Sequence, residues 1–479
     1  MIDKITWDDL SLNEIYSGLN TCETSAGEDF LYKRFFNPFD SNREDFIYLI
    51  DNKCIKPNKS LNLVGKLKKY KFKECLDKIS NIQAESNIKH YIMILLVILS
   101  FVLIFVYPGP GILFMFAAVS ASLVIYFKEQ RLKSGEIYAF SYIIKLINSI
   151  TYFSGDSSDR ANAIIEELNS LKKKLSNIGR FSFLIKKNVS TDGNPIDVIL
   201  DYLRMIFHLD IIKFNNMVSS VKENSDEIIR LYELIGMVDA AYAVRKYRDS
   251  LSYYCIPEFV EEKTLEIEDG YHPLIVKPVS NSINTNKSVL LTGSNASGKS
   301  TFLKMVALNI IFAESFGFSF AKSIKLKRCS IYSSMALRDS ISDGDSYFIK
   351  EIKALKRIVD AADSDETIIC FIDEVLRGTN TIERIAASSE ILLNLADKNA
   401  IVFAATHDNE LTSTLSPKYE NYHFTEEIKD NDISFSYKLL QGVSKTRNAV
   451  KLLSFMGFND ETVKNAEKRI NSFETSGTW

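Results

Sequence analysis

Residues Ser288–Thr301 read SVLLTGSNASGKST. Val289-Leu290-Leu291 is an apolar run of the kind that forms a buried strand. It ends in Gly293-Ser294-Asn295-Ala296-Ser297-Gly298-Lys299-Ser300, a full G-x-x-x-x-G-K-[ST] phosphate loop with a strand before it and a helical pattern after it. Glycines at both ends let the backbone wrap a phosphate and turn its N–H groups inward, and a helix beginning near Lys299 adds the positive end of its dipole. Lys299 has the reach for the β- and γ-phosphates of ATP, and the Ser300 hydroxyl suits Mg²⁺, with Thr301 next to it on the helix. A chance match in a Gly/Ser turn is the bland alternative. The downstream motifs argue against it.

The second half of such a site follows. Ile368-Ile369-Cys370-Phe371-Ile372-Asp373-Glu374 is an apolar strand ending in two acids. Asp373 is placed to hold Mg²⁺, directly or through water, and Glu374 to orient or deprotonate an attacking water. Another apolar strand, Ala400 to Ala405, runs into Thr406-His407. A histidine there can sense a γ-phosphate, although a lone histidine is more often unremarkable. Ser346, near Gly344 in LRDSISDGDSYFIKEI, sits in a cluster that by itself says only "turn".

The chain has 479 residues, enough for two to four domains. Apolar content of 46% and charged content of 25% are those of a folded protein. A net charge of −3 gives no overall pull toward nucleic acid, so any basic surface must be local. The six cysteines are scattered without a C-x-x-C pair, which points to buried thiols in a reducing compartment rather than disulfides or zinc.

Two uncharged stretches interrupt this average: Tyr91 to Tyr107, YIMILLVILSFVLIFVY, and Ile112 to Phe127, ILFMFAAVSASLVIYF, joined by Pro108-Gly109-Pro110-Gly111. Residues 91–127 read as a transmembrane helical hairpin with the Pro-Gly segment as its turn, because neither arm has a polar face to give to water. Tyr91, Tyr107 and Tyr126 stand at the ends like interfacial aromatics. Lys66, Lys68, Lys69, Lys71, Lys73 and Lys89 precede the hairpin; Lys128, Arg131 and Lys133 follow it. Both soluble flanks are therefore expected in the cytoplasm, where ATP is. The KLKKYKFK run suits lipid headgroups or nucleic-acid phosphates, headgroups being favoured beside a membrane segment, and Lys172-Lys173-Lys174 reads as a solvated face, with DNA contact the lesser alternative.

The expected organisation is a helical core-like segment over 1–88, the hairpin over 89–128, a helical lever region over 129–262 and an ATPase domain over 263–479. IIEELNSLKKKL and DEIIRLYELIGMVDAAYAVRKYRDSL carry helical periodicity without proline, and strands alternate with helices after Pro257. The fold class is an α/β P-loop NTPase of the ABC-type ATPase head kind, plus an α-helical core and lever region with a transmembrane hairpin.

Together these motifs resemble the MutS family of DNA mismatch-repair ATPases. Tyr271-His272-Pro273, the loop TGSNASGKSTF with Asn295 in place, Asp339-x4-Gly344-x-Ser346-x-Phe348-x2-Glu351, Asp373-Glu374-x2-Arg377-Gly378-Thr379 and Ala405-Thr406-His407 carry the resemblance. So does FSYKLLQGVSKTRNAVKLLSFMGF, similar to the family's last strand and dimerising helices. Weaker echoes lie at 7–35 and from Glu233 to Leu251. The resemblance implies a switch role for His407, a ring at Tyr437 stacking on adenine, and a homodimer in which Ser346 completes the opposite subunit's site. It also implies ATP-dependent binding of mismatched or structured DNA. The family's mismatch-reading domain with its Phe-x-Glu wedge is not expected, because the core-like segment already begins at residue 7. A membrane-anchored mechanochemical ATPase acting on a protein or membrane client without DNA is the competing expectation. Solute transport is disfavoured, since one hairpin cannot easily line a path, and no nuclease signature is apparent.

Overall fold

A computed structural model of the chain describes residues 2–52, 55–57, 72, 74, 77, 85–150, 153–155, 159–179, 195–294, 297–335, 347–377, 379–429, 432–444, 450 and 457–476. The chain forms two compact units. One comprises Met1–Leu19, Arg34–Asp40 and Arg248–Trp479; the other comprises Asn20–Lys33 and Ser41–Tyr247.

The first unit is built on a six-stranded sheet. Its order is Leu440–Gln441, Tyr419–His423, Ser288–Thr292, Ala400–Ala405, Ile368–Asp373, Ser330–Ser334, with all neighbours parallel except the antiparallel Leu440–Gln441 edge. Ser288–Thr292 and Ala400–Ala405 are buried at every position. That is why they read as continuous apolar runs and not as alternating strands: helices cover both faces of a parallel sheet. Leu290, Cys370, Ile372, Val402 and Ala404 share one core with Leu355 and Ile358 of helix Tyr347–Ala361 and with Leu392 and Leu395 of helix Thr381–Ala396. Helix Lys299–Phe316 is buried along almost its whole length. Register aligns the strand ends: Leu291 lies opposite Ala405, and Ala405 opposite Asp373. Loops leaving these three strands therefore emerge together at the carboxyl edge, where open α/β sheets bind ligands. A smaller four-stranded sheet carries Glu258–Phe259, Ser323–Leu326, Leu265–Gly270 and Asn281–Thr285 in that order.

The amino-terminal helices Lys4–Asp9 and Leu12–Leu19 belong to this same unit. Asp3 caps the first, accepting from the Thr6 N–H at 2.9 Å. Trp7 is almost fully buried, stacked on Phe36 and edge-on to Phe35, which in turn packs on Phe312 and Phe316. Thr6 Oγ1 accepts from the Ser333 N–H at 3.1 Å, while the Asp9 carboxylate accepts from Ser333 Oγ at 2.7 Å and from the Met335 N–H at 3.0 Å. The first nine residues thus finish the edge strand Ser330–Ser334.

The second unit is helical among its described residues apart from a short strand pair, Ile55–Pro57 with Phe153–Gly155. The two expected helical runs fall on helices Asp159–Lys174 and Ser225–Asp249, Leu175 and Ser250-Leu251 lying just past their ends. Lys173 and Lys174 are exposed, and the lysine triplet occupies a last helical turn, where positive charge meets the dipole favourably. Asp239 fastens the start of helix Ser25–Phe36 by accepting from the Thr24 N–H at 2.9 Å and from Thr24 Oγ1 at 2.7 Å.

Helices Ile88–Val106 and Pro108–Leu132 form the apolar hairpin, and each is long and apolar enough to cross a bilayer. Leu95, Phe105, Leu113, Phe116 and Val124 are exposed on them. The reversal differs from the expected Pro-Gly turn. The chain turns at Tyr107, and Pro108–Gly111 form the first turn of the second helix, where proline's missing N–H costs nothing. Gly111 permits the close approach of the arms: a Cβ there would stand 2.6 Å from the Ile104 nitrogen. Tyr126, expected at an interface, is instead buried and donates to Asp210 at 2.8 Å. Ser122 and His90 are buried against His208 in the same cluster. Of the flanking cations, Lys89 pairs with Glu129 and Lys133 with Glu85, leaving Lys128 and Arg131 exposed. Lys66, Lys68, Lys69, Lys71 and Lys73 lie outside the described residues.

Candidate nucleotide site

The phosphate loop begins where strand Ser288–Thr292 leaves the sheet. Gly293 and Gly298 have φ of +135° and +106°, which side-chain-bearing residues rarely adopt. Space is closed as well: a Cβ on Gly293 would meet the Phe424 carbonyl oxygen at 2.9 Å, and one on Gly298 the Tyr437 ring at 3.1 Å. Ser297 closes the loop, donating from Oγ to the Ser294 carbonyl at 2.8 Å. Lys299 is buried, and its Nζ donates to the carbonyls of Gly293 at 2.7 Å and Ser294 at 2.9 Å. An ammonium with three donors can exchange such contacts for phosphate oxygens. Asn295, Ala296 and Ser346 lie outside the described residues.

Ser300 and Asp373 meet directly, the hydroxyl donating to the carboxylate. Two hard oxygen donors side by side fit Mg²⁺, which takes one or two protein ligands and fills its shell with phosphate and water. Among the described residues no group of three acidic, histidine or cysteine side chains could form an all-protein metal cage.

Glu374 follows Asp373 with φ of +60°, and its N–H donates to the Ala405 carbonyl at 2.9 Å. Its carboxylate is held between the Arg377 guanidinium and His407, whose Nε2 lies 3.0 Å from Oε1. Burial lowers the His407 pKa, and the Lys299 and Arg377 charges lower it further. Against the Glu374 carboxylate, which can only accept, Nε2 is the donor. Behind it Arg384 grips Asp408 bidentately at 2.7 and 2.9 Å. Glu374, Arg377, Thr406 and His407 line a cavity of about 220 Å³.

A second cleft, of about 350 Å³, opens on the other flank of the loop. His272, Ile275, Val279, Thr301, Phe302 and Tyr437 are among its walls. Tyr437 has φ of +52° and an exposed ring. Asn281 grips the chain on both sides of that ring: its Nδ2 donates to the Tyr437 carbonyl at 3.0 Å, and its Oδ1 accepts from the Leu439 N–H at 2.8 Å. Burial, with the Lys304 charge second, lowers the His272 pKa to about 4. Apolar walls with an aromatic ring suit a purine base, and the phosphate loop borders the same cleft at Gly298.

The motifs of the sequence include Tyr437 and His272 but not Asn281, whose neighbours carry no motif. Arg377 and Glu351 stand in motifs that assign neither a contact. Nothing local shows that Arg377 turns back onto Glu374, or that the Glu351 carboxylate accepts from the Arg377 N–H at 3.2 Å.

Comparison with known proteins places this arrangement. Residues 289–474 match the model of MutS domain V. The chain is 31% identical to MutS protein homolog 4 of Homo sapiens over 264 residues, 51% of this chain and 28% of the relative. It is 26% identical to the DNA mismatch repair protein MutS of Clostridium kluyveri over 368 residues, 73% of this chain and 40% of the relative. It is 28% identical to its counterpart in Thermotoga petrophila over 263 residues, 53% of this chain and 33% of the relative. The aligned parts span between about a quarter and two fifths of the relatives' length. The match to domain V coincides with the loop, the acidic pair and the strand-end histidine described above, and over residues 289–474 the chain carries a MutS-type domain V.

Proposed function

We propose that this chain is a Mg²⁺-dependent ATPase that works as a homodimer and binds mismatched or structured DNA in an ATP-dependent way, in mismatch repair or a related process at a membrane. The observation that carries the ATPase reading is the meeting of Lys299, the Ser300–Asp373 pair and the Glu374–His407 pair at one edge of the sheet. The DNA reading is supported by the similarity to DNA mismatch repair proteins.

In this reading the base lies against Tyr437 and the triphosphate runs along residues 293–301. Lys299 leaves the loop carbonyls for the β- and γ-phosphates. Mg²⁺, held by Ser300 and Asp373, supplies charge neutralisation on the phosphates. Glu374 orients a water against the γ-phosphorus and takes its proton as the β–γ bridging bond breaks, leaving ADP and phosphate. His407 holds the Glu374 carboxylate in place through its Nε2 hydrogen. Ser346 of one subunit completes the site of the other. The domain scheme of 1–88, 89–128, 129–262 and 263–479 accompanies this reading, with the hairpin in the bilayer and both soluble parts in the cytoplasm.

A second reading is a membrane-anchored mechanochemical ATPase whose client is a protein or the bilayer. It is favoured by the exposed apolar surface of helices Ile88–Val106 and Pro108–Leu132. The deciding experiment is steady-state ATP hydrolysis by the full chain with homoduplex, mismatched and branched DNA, and Glu374→Ala as control. A response to DNA that disappears at high salt supports the first reading, because phosphate contacts weaken steeply with salt. Glu374-dependent turnover indifferent to every DNA leaves the second.

A further inference from the structure

We infer that Glu351 is a positioning residue for hydrolysis: its buried carboxylate sets the turn that aims Glu374. The inference rests on the ATPase reading above.

The turn from Glu374 to Arg377 is strained. Glu374 and Leu376, neither a glycine, have φ of +60° and +58°. Such residues are strained and persist only where their surroundings over-determine them. Two of the restraints come from one helix, Tyr347–Ala361. Val375 and Leu376 are buried in the core with Leu355 and Ile358 of that helix. One turn earlier, Glu351 presents its carboxylate, and Oε1 accepts from the Arg377 N–H at 3.2 Å. The same Arg377 carries the guanidinium that grips the Glu374 carboxylate. Glu351 thus holds the backbone of the residue that holds the general base.

Stability does not account for a carboxylate at this place. Glu351 is 4% exposed, and its Oε2 has no hydrogen-bond partner among the described residues. An unsatisfied buried polar atom destabilises the fold, and a charged one does so more. Burial raises the carboxyl pKa despite the opposing N–H groups of Arg377 and Leu376. A group that costs stability and fixes the geometry of a reacting carboxylate is a positioning device. Helix Tyr347–Ala361 also starts immediately after Ser346, so a contact made there by the opposite subunit would reach Glu374 through Glu351.

The test is kcat, KM and Tm of the full chain as wild type, Glu351→Leu and Glu351→Gln. Displacing a reacting group by about 1 Å can cost on the order of 100-fold in rate. Glu351→Leu is expected to lose at least about 10-fold in kcat, with KM within about threefold and Tm equal or higher. Glu351→Gln keeps a carbonyl oxygen for the Arg377 N–H and is expected to retain at least about half of the wild-type kcat. Should Glu351→Leu not fold, Glu351→Asp carries the test, since its shortened arm withdraws the acceptor and is expected to lower kcat alone. Wild-type turnover in Glu351→Leu or Glu351→Asp, or a kcat loss matched by losses in Tm and ATP affinity, would overturn the inference while leaving the ATPase reading intact. Absence of hydrolysis by the wild type would overturn both.

Discussion

His407 Nε2 stands 3.0 Å from Glu374 Oε1, because the strands that deliver the two residues run parallel side by side with Ala405 opposite Asp373. That contact fixes one lobe of the carboxylate, and Arg377 fixes the other. Removing Glu374 and removing His407 should therefore differ in degree. Glu374→Ala is expected to lower ATP turnover by about 100-fold or more, the usual weight of a general base. ATP affinity should hold within a few-fold, because the proposed reading assigns the phosphates and the base to other residues. His407→Ala is expected to lower turnover by a smaller factor, about 10-fold. Single-turnover hydrolysis with a separate fluorescent-nucleotide titration measures both quantities. Equal losses in the two variants would mean that His407 acts on the nucleotide itself.

The cleft beside Gly298 leads to a binding prediction. Tyr437→Ala should weaken ATP binding about 2- to 12-fold, the value of one aromatic contact of about 0.5–1.5 kcal/mol, with kcat at saturation little changed. Asn281→Ala should show the same pattern more weakly, since it holds the Tyr437 segment through two hydrogen bonds. Gly298→Ala should abolish binding, because φ of +106° and the Tyr437 ring both oppose a Cβ. Equilibrium titration with a fluorescent ATP analogue reads all three.

His272 ties stability to pH. Its folded pKa, about 4, lies below the ordinary value of 6.5, so the unfolded chain takes up a proton that the folded chain refuses. Stability from this group is fully present above pH 6.5 and is lost as pH falls toward 4. His407, also shifted down, adds a loss of the same sign. Thermal melts between pH 7.5 and 4.5 should show Tm falling on acidification, and His272→Gln should flatten that fall. An unchanged slope in His272→Gln would show that the imidazole is protonated in the folded cleft.

Asp9 offers a test of the amino-terminal segment. Asp9→Ala leaves the Ser333 hydroxyl and the Met335 N–H without their acceptor, a loss of about 1–3 kcal/mol. Asp9→Asn keeps one oxygen and should recover part of it. Chemical denaturation followed by tryptophan fluorescence is suited to the measurement, since Trp7 is buried nearby on the same helix.

Much of the site was legible because its motifs encode local geometry. Gly293 and Gly298 are glycines since the loop needs positive φ there, and the apolar runs before the loop, before Asp373 and before Thr406 are central parallel strands with no solvent face. The hairpin arms were legible for a similar reason, being apolar on every side. What could not be read depends on distant neighbours. Nothing beside Asn281 announces that it will clasp the chain around Tyr437. Glu351 sits in a helix whose pattern explains its apolar residues only, and the turn it holds is visible only once strand Ile368–Asp373 is in place. Trp7 and Asp9 look like members of an ordinary amphipathic helix, and their partners, Phe35 and Ser333, are assigned by the fold.

The clasp between Asp9 and Met335 spans 326 positions of the chain. A ribosome delivers Asp9 first and Met335 on the order of tens of seconds later, at about 5–20 residues per second. Throughout that interval Trp7 and its neighbours wait without the strand they cover. Ser41–Tyr247, by contrast, has all its residues in hand before the phosphate loop has been translated. The segment interrupting the sheet-containing unit is thus finished before the unit it interrupts, and no nascent chain can assemble the candidate nucleotide site while that segment is still being made.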